Sequence, residues 1–372
     1  MSRSIVIVGG GIVGASTALF LARKDWSVTL IEKNSVGGGA STAAAGILSP
    51  PFFLDPDEPD EEQNTQPLLS RKGYDFYPTF LDVLSEYTSE DVGYEVAGMW
   101  YLAFNEDEYE EQRTIHREMK KFNRQSEWFE AEAIRGELNY LSPEVQGGLF
   151  FEEEAQVDPD RLLTVLREAL LKEGVELLEQ TPVRTLEVNE DVPTVLTPDD
   201  EYRGDALLLA AGAWSRELGQ QIGVEVPIEP RKGEMLSVQA PELEGKPPVR
   251  HGERFVLPRN DEAILGSTTE DAGFNTQSTA GAMQDLLASG INIVPHLAEA
   301  SFTSAWAGLR PYANKKGGAF LGPVPGTENV FMACGHYKTG VLQGPFTGRV
   351  MADHISGSSP DLDVSRYSLD RS

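Results

Sequence analysis

The chain has 372 residues, of which 40% are hydrophobic, and its 59 acidic against 31 basic side chains give a formal net charge of −28. This length exceeds a typical single hydrophobic core and predicts two domains. The acidic excess repels nucleic acid and anionic membranes, which excludes both as expected partners.

The chain begins with a predicted β-strand, a helix and a second strand. Residues 5–8 (IVIV) form an apolar run that is typical of a strand buried on both faces. Residues 15–22 have helical periodicity, and residues 27–31 (SVTLI) predict the second strand. Together these elements predict a β-α-β unit.

The turn after the first strand contains glycines at G-x-G-x-x-G spacing. Gly9 permits a tight turn, Gly11 lets backbone N–H groups approach a diphosphate, and Gly14 lets the helix pack closely on the strand. The helix N-terminus adds free N–H groups and partial positive charge. Glu32, about 20 residues further on, suits a ribose 2′-hydroxyl and repels a 2′-phosphate. The unit therefore predicts a dinucleotide site, in preference to a glycine-rich turn without a ligand, and excludes NADP.

Small residues fill the next segment, 33–50 (KNSVGGGASTAAAGILSP), and would let the backbone pass close to a flat, bulky cofactor. Residues 50–67, rich in Pro and Asp, predict a connection between elements. Helices are predicted over residues 68–85, 106–122 and 159–172. The last of them has Asp158 as its N-cap and Pro159 at its first position.

Three acidic clusters, at residues 55–62, 106–111 and 152–154, are expected on solvated loops or faces. A densely acidic surface also suits high salt, because carboxylates keep the protein hydrated and their mutual repulsion is screened there. The composition thus raises a halophilic protein as a hypothesis.

Short β-rich runs follow over residues 175–212. The last is a buried strand, 207–211, that leads into Gly212 before a helix begins near Trp214. Its order of strand, glycine and helix repeats that of the first turn.

Strands predominate over residues 228–312, with one helix near 280–300, and residues 329–355 return to strand, glycine turn and helix. This order predicts an α/β fold with a Rossmann-like doubly wound domain, interleaved with an α+β domain built on an antiparallel sheet. We expect the first domain to comprise residues 1–50, 145–225 and 320–372, and the second 51–144 and 226–319.

Cys334 is the one cysteine, so a disulfide within the chain is excluded and a reducing interior is indicated. Its apolar surroundings predict a small core residue. No signal peptide and no apolar run of about 20 residues is recognised, and a cytoplasmic protein is expected. The histidines have no metal-ligand spacing, and no Ser-His-Asp arrangement is recognisable, so no metal site is predicted.

Seven short stretches occur in the order found in FAD-dependent amine oxidases of the D-amino-acid oxidase type: GGGIVG with Glu32, STAAAGIL, QVDPDRLL, TPVRTLEV, AAGAWS, AWAGLRP and CGHYKTGV. Over nearly its whole length the chain resembles this family, and within it the glycine oxidases. The resemblance implies that the doubly wound domain binds FAD and the other domain binds substrate. Because the GLRP position lacks the cysteine by which sarcosine-oxidase relatives attach flavin, noncovalent FAD is expected.

The glycine turn and the resemblance together imply a set of cofactor contacts, with residues 45–47 beneath the flavin, Val183 contributing its backbone, and residues 336–342 along the pyrimidine edge. His336 is expected beside the flavin carbonyls and not as a proton acceptor. The implied contacts are Gly9, Gly11, Ile12, Val13, Gly14, Glu32, Lys33, Ala40, Ser41, Ala45, Gly46, Ile47, Val183, Gly212, His336, Tyr337, Lys338, Thr339, Gly340, Val341 and Leu342.

The resemblance also implies substrate contacts. Arg310 matches the arginine that grips the substrate carboxylate, a role that suits a planar guanidinium that stays charged when desolvated. Lys338 stands where glycine oxidases have a second arginine, and Phe255 replaces a tyrosine. Both departures weaken directional hydrogen bonding, so a different or N-substituted amino acid is an open alternative.

The implied reaction is oxidation of a small α-amino acid such as glycine, sarcosine or a D-amino acid. Hydride passes to flavin N5, the imine hydrolyses to a keto acid and ammonia or amine, and O₂ becomes hydrogen peroxide. No catalytic side chain is required, since the flavin carries the chemistry. The alternatives are a dehydrogenase that reduces a quinone or carrier, a flavin-binding protein without turnover, and an NAD-dependent dehydrogenase. A homo-oligomer is also open.

Overall fold

The computed structural model describes residues 3–50, 65–121, 125–188, 192–314 and 318–371. Within these ranges the helices are α1 (Ile12–Ala22), α2 (Thr65–Ser85), α3 (Glu106–Lys121), α4 (Ala131–Glu137), α5 (Pro159–Lys172), α6 (Ser215–Gln221), α7 (Ala280–Ile293) and α8 (Gly340–Ser356). The strands are β1 (Ser4–Val8), β2 (Ser27–Ile31), β3 (Ile47–Leu48), β4 (Met99–Ala103), β5 (Ser126–Glu130), β6 (Gly147–Phe151), β7 (Ala155–Gln156), β8 (Glu176–Leu178), β9 (Thr185–Val188), β10 (Pro193–Leu196), β11 (Glu201–Arg203), β12 (Ala206–Leu209), β13 (Ile228–Gln239), β14 (Val249–His251), β15 (Arg254–Arg259), β16 (Glu262–Gly266), β17 (Phe302–Ala313), β18 (Phe320–Pro323) and β19 (Val330–Cys334).

A six-stranded sheet organises the first layer, in the order β18-β19-β12-β1-β2-β8. All its neighbouring strands are parallel except β18 and β19. Ile5 and Ile7 point into a core shared with α1, α5 and α8, whereas Val6 and Val8 point into a core shared with the β9-β10-β11 sheet and α6. The first strand is therefore buried on both faces, as its uninterrupted apolar run predicts.

An eight-stranded sheet forms the second body of structure, in the order β17-β13-β16-β15-β14-β4-β6-β5. Its pairs are antiparallel, as predicted, except for β14 and β4, which run parallel. Helix α7 covers one face, where Leu286 and Ile293 pack against Leu236 and Leu265.

Most predicted elements form, and their end signals act locally. Asp158 caps α5, and its carboxylate accepts hydrogen bonds from the N–H groups of Asp160 and Arg161. The helix predicted near 280–300 ends earlier, at Ile293, because Val294 precedes a proline and is extended, with φ −128° and ψ 89°. A short 3₁₀ turn, Pro295–Glu299, follows.

Two segments do not stay with their sequence neighbours. Strand β6, from the stretch 145–225, pairs with β4 and β5 in the eight-stranded sheet. Helix α2, from the stretch 51–144, packs against α8 and joins the core of the six-stranded sheet. The division into two domains remains a prediction, and the acidic cluster at 55–62 and most of the connection 50–67 lie outside the described residues.

The prediction that the acidic cluster 152–154 is solvated is wrong for Glu154. Its side chain is 2% exposed, and its carboxylate accepts hydrogen bonds of 2.6 Å from both Ser49 Oγ and Tyr101 Oη. Burial raises the pKa of Glu154 above its ordinary value, although the two hydroxyls oppose this by stabilising the charge. The carboxylate is tolerated in the interior because both of its oxygens have donors.

No helix within the described ranges of the chain is long and apolar enough to cross a membrane. The same ranges hold no group of three or more His, Cys, Asp or Glu side chains that could bind a metal ion.

Candidate active site

A cavity of about 540 Å³ lies between the two large sheets. Its wall takes residues from the ends of β1 and β2, the turn after β12, and strands β13, β15 and β17. This volume falls in the range of small-molecule and cofactor sites.

The structure brings the residues singled out in the sequence to this one cavity, with the exception of Gly14. The residues on its wall are Gly9, Gly11, Ile12, Val13, Glu32, Lys33, Ala40, Ser41, Ala45, Gly46, Ile47, Val183, Gly212, Phe255, Arg310, His336, Tyr337, Lys338, Thr339, Gly340, Val341 and Leu342. Their roles toward a ligand stay predictions.

The glycine turn between β1 and α1 depends on close backbone contacts. Gly9 has φ +110°, and a Cβ there would lie 2.4 Å from the carbonyl oxygen of Ala210. A Cβ on Gly14 would lie 2.0 Å from the carbonyl oxygen of Gly9, so Gly14 serves packing between turn and helix. Gly11, on the cavity wall, is the N-cap of α1 and leaves that helix end without a side-chain cap of its own.

The N-terminus of α1 opens onto the cavity with positive character. Its first turn contains no acidic residue, and Ser41 Oγ accepts a 3.0 Å hydrogen bond from the N–H of Ile12. The other free N–H groups and the helix dipole suit an anionic group such as a diphosphate.

Glu32 closes the same turn from the end of β2. Its carboxylate accepts hydrogen bonds from the N–H of Gly10 at 2.7 Å and from the N–H of Asn34 at 2.9 Å. Each carboxylate oxygen has further acceptor capacity, so the ribose role predicted for Glu32 is compatible with both bonds. Lys33 lies next to it, with Nζ 2.8 Å from the centre of the Trp214 ring, and burial lowers the pKa of Lys33.

The small-residue segment after Lys33 packs against other parts of the chain and also lines the cavity. A Cβ on Gly37 would lie 2.7 Å from Leu163 Cγ, and one on Gly46, where φ is +79°, would lie 2.0 Å from Val157 O. The sequence analysis explains these small residues by contact with a cofactor. Gly37 and Gly46, however, are also required because the chain packs closely against them. Ala40 and Ala45 do line the cavity.

Arg310, on β17, is a half-buried cation in the cavity wall. Its Nη1 donates to the carbonyl oxygen of Thr268 at 2.9 Å and its Nη2 donates to Ser267 Oγ at 3.0 Å. Gly233 makes room for the guanidinium, since a Cβ there would lie 2.2 Å from Arg310 Cζ. Burial lowers the pKa of Arg310, yet a guanidinium remains protonated in proteins. Across the ranges described above, no carboxylate forms an ion pair with it.

Apolar side chains form the wall beside Arg310. Phe255 is buried and packs with Met235, Leu257 and Ile264, and the partly buried Trp306 joins this cluster. The indole N–H of Trp306 donates to the carbonyl oxygen of Ala43 at 3.2 Å. The wall therefore lacks the hydroxyl that a tyrosine at position 255 would supply.

Lys338, predicted to contact substrate, is engaged by a residue that the sequence analysis does not single out. Its Nζ lies 2.6 Å from Glu253 Oε2, and Arg250 Nη2 lies 3.8 Å from Glu253 Oε1. Arg250 and Glu253 both line the cavity. In the structure Arg250 pairs directly opposite Phe255 and so shares its face of the sheet, but the sequence carries no signal for this pairing.

His336 and Cys334 are both buried beside the cavity. His336 Nε2 lies 3.0 Å from Thr347 Oγ1, and burial lowers the pKa of His336 to about 4. Cys334 belongs to an apolar core cluster, as predicted, and burial raises the pKa of its thiol to about 12. The imidazole is therefore neutral at pH 7 and the thiol is protonated.

Comparisons with known proteins agree on one family. A family model described as FAD dependent oxidoreductase (DAO) matches residues 4–354. Glycine oxidase of Pseudomonas aeruginosa is 34% identical over 371 residues, which cover 99% of this chain and 98% of that protein. The crystal structure of glycine oxidase from Geobacillus kaustophilus matches with a TM-score of 0.91 at 27% identity, over 100% of both chains. That of iminodiacetate oxidase from a Chelativorans species matches with a TM-score of 0.87 at 26% identity, over 98% of each.

Proposed function

The chain belongs to the DAO family of FAD-dependent oxidoreductases, and from this premise we propose that it oxidises a small α-amino acid such as glycine, sarcosine or a D-amino acid. Its cofactor is FAD, and its class is that of amino acid oxidases related to glycine oxidase. The finer points of substrate, residue roles and electron acceptor are proposals.

The cavity offers FAD complementary groups along its length. The remaining free N–H groups at the N-terminus of α1 and the glycine turn suit the diphosphate, and the carboxylate of Glu32 suits the adenosine ribose. The small side chains of Ala40 and Ala45 leave room for a planar ring system. Cys334 is a core residue with a protonated thiol, which supports noncovalent binding.

Arg310 would bind the substrate carboxylate with the two-pronged geometry that a guanidinium offers a carboxylate. Ser267 and Thr268 hold its orientation through the hydrogen bonds described above. The apolar side chains of Phe255 and Met235 exclude water beside the bound carbon chain. When bound, FAD supplies a ring that accepts hydride at N5.

No side-chain base is needed if the amine binds in its neutral form, so the contribution of the chain is orientation. Loss of hydride from Cα of the neutral amine leaves a protonated imine, which water converts to a keto acid and ammonium or a protonated amine. O₂ is the proposed acceptor, with hydrogen peroxide as product, and a quinone or carrier is the alternative.

One observation carries the proposal: a half-buried guanidinium, with no carboxylate at ion-pair distance in the described part of the chain, shares a cavity with a dinucleotide turn. A charge held partly out of water without a direct counterion is costly and is typical of a site that binds one.

The test is Arg310→Ala, with Arg310→Lys as the variant that keeps the charge and loses the planar fork. We expect KM for sarcosine to rise about 30-fold or more in the alanine variant, because truncation removes a desolvated charge pair. FAD content, read from visible absorbance, should stay at the wild-type level. Arg203→Ala, at an exposed ion pair on β11, is the matched control. An unchanged KM in Arg310→Ala would refute the carboxylate role.

Substrate class and acceptor are separable by absorbance. Glycine, sarcosine, D-alanine and D-proline are mixed with the holoenzyme under anaerobic conditions, and loss of the yellow flavin colour reports oxidation. The iminodiacetate oxidase neighbour acts, by its name, on an N-substituted glycine, so N-substituted glycines belong in the same screen. Rapid return of the colour on adding O₂ supports an oxidase, and slow return supports a dehydrogenase. If no amino acid bleaches the flavin, the result supports the alternative of a flavin-binding protein without turnover.

A further inference from the structure

More positively charged side chains lie beside the apolar wall than the single carboxylate of a simple amino acid needs. Three cations face one anion there: Arg250, Arg310 and Lys338, with Glu253. Under the proposed function, Arg310 takes the one carboxylate of glycine or sarcosine. Glu253 then neutralises a single charge, so these cavity-lining side chains keep an excess of one positive charge, and the buried carboxylate of Glu154, outside the lining, also attracts Arg250.

Arg250 is held in place and is not a freely moving surface arginine. Its Nε donates to the carbonyl oxygen of Gly252 at 2.8 Å, and its guanidinium carbon lies 5.7 Å from the centre of the Tyr101 ring. The hydroxyl of Tyr101 is in turn fixed by the buried carboxylate of Glu154. This network aims a preorganised cation at the cavity.

Glu253 differs from the two cations in its exposure. Its side chain is 66% exposed, against 27% for Arg250 and 40% for Lys338. It lies in the turn between β14 and β15, between the two cations. A carboxylate on an exposed side chain at the end of a hairpin is free to move into water, whereas Arg250 is constrained.

We propose that Arg250 and Lys338 bind a second carboxylate of the substrate, in the place that the Glu253 carboxylate holds here. The preferred substrates are then α-amino acids with two carboxylates, carried on the side chain or on the amine nitrogen. The inference rests on the proposed function for the first carboxylate and for turnover. A purely structural Glu253 ion pair would instead leave the cavity indifferent to a second negative charge.

Binding is tested first, on the holoenzyme and without turnover. Oxydiacetate and methoxyacetate are ether analogues of N-carboxymethylglycine and sarcosine that lack an oxidisable amine, and their binding is titrated through the absorbance of bound FAD. We expect oxydiacetate to bind about tenfold or more tightly, because it adds a charge-assisted contact. Equal affinities would overturn the inference.

Variants assign the preference to these residues. Arg250→Gln should reduce the affinity ratio of the two analogues towards one, and Glu253→Gln should raise it because a competing carboxylate is lost. Arg203→Gln makes the same charge change at an exposed pair outside the cavity and should leave the ratio unchanged. FAD content verifies that each variant folds, and if Arg250→Gln fails to retain FAD, Glu253→Gln alone decides. A ratio that Glu253→Gln does not raise would overturn the inference.

Turnover separates this inference from the proposed function. The holoenzyme is mixed with N-carboxymethylglycine, its mono-amide and sarcosine, and kcat/KM is measured for each. We expect the dicarboxylate to exceed the mono-amide by about tenfold, since the two differ in one negative charge. Oxidation of sarcosine without that preference refutes the second-carboxylate site alone. Failure of these three compounds and of glycine, D-alanine and D-proline to bleach the flavin refutes the proposed function, while the analogue titration still decides the binding site.

Discussion

His336 shows how burial sets the charge state of a residue beside the cavity. Its ring is almost completely buried, and the hydroxyl of Thr347, at 3.0 Å from Nε2, is the hydrogen-bond partner of that nitrogen. Burial lowers the pKa of His336 from 6.5 to about 4, because the charged ring would lose its hydration. A neutral imidazole at this place is consistent with a positioning role and not with proton transfer at neutral pH.

The buried histidine predicts a pH dependence of stability. The unfolded chain binds a proton at this ring below pH 6.5, whereas the folded chain binds it only near pH 4, so the free energy of unfolding falls as pH drops through this window. We expect wild type to lose about 2–3 kcal/mol more than His336→Gln between pH 7.5 and pH 4.5. Urea unfolding of both proteins at the two pH values measures this difference. Parallel losses in the two proteins would contradict it.

A buried ion cluster joins three elements around Arg310. Lys232 Nζ lies 2.6 Å from Glu234 Oε1 and 3.1 Å from Glu270 Oε2, with Lys232 and Glu234 both fully buried on β13. The Glu234 carboxylate also accepts a 2.8 Å hydrogen bond from the N–H of Thr279, the N-cap of α7. The backbone N–H of Glu234 donates to Thr268 Oγ1 at 2.9 Å. The cluster thereby supports the segment whose carbonyl oxygen holds Arg310.

We predict that Glu234→Gln destabilises the fold by about 3 kcal/mol or more, because a buried lysine loses a charged partner. Glu201→Gln is the matched control, since Glu201 pairs with Arg203 at the surface and such pairs contribute about 1 kcal/mol or less. Urea midpoints of the two variants give the comparison. Equal, small shifts would show that Glu270 alone satisfies Lys232.

Elements with local signals are predictable from the sequence. The start of α5 follows from Asp158 and Pro159, which lie within one turn of it, and the turn after β1 follows from Gly9 and Gly14, whose contacts are with the same few residues or an adjacent strand. The burial of Glu154 is not predictable in this way, because its partners lie 105 and 53 residues away. Distant partners decide whether an acid is solvated, and composition carries no information about them.

The residues of the candidate site likewise fall into a group that the sequence predicts and a group that it does not. Its dinucleotide half comes from short stretches in which function and backbone geometry share a motif. Arg250 and Glu253 belong to no motif and reach the cavity through strand pairing of β14 with β15 and β4. A single arginine and a single acid in a turn are common on any surface, so only the fold distinguishes them.

At the scale of the whole molecule, the cavity exists because the chain crosses repeatedly between its two large sheets. The glycine turn follows the first strand, whereas Arg310 lies on β17, at the edge of the other sheet. Their alignment depends on the two sheets keeping their relative position. A loss of packing between the sheets should therefore separate the cofactor and substrate halves of the site together.

The net charge of −28 predicts that salt stabilises this fold. Exposed acids such as Glu106, Glu110 and Glu111 on α3 repel one another more strongly in the folded chain than in the expanded one. The range of this repulsion shrinks from about 10 Å at 0.1 M salt to about 3 Å at 1 M, so the urea midpoint should rise with NaCl and then level off. The same titration at pH 4.5 is the control, because many carboxylates lose their charge near their ordinary pKa of about 4 and the salt effect should shrink. An equal salt effect at both pH values would assign the stabilisation to hydrophobic burial, and no effect at pH 7.5 would remove the physical basis for a high-salt habitat.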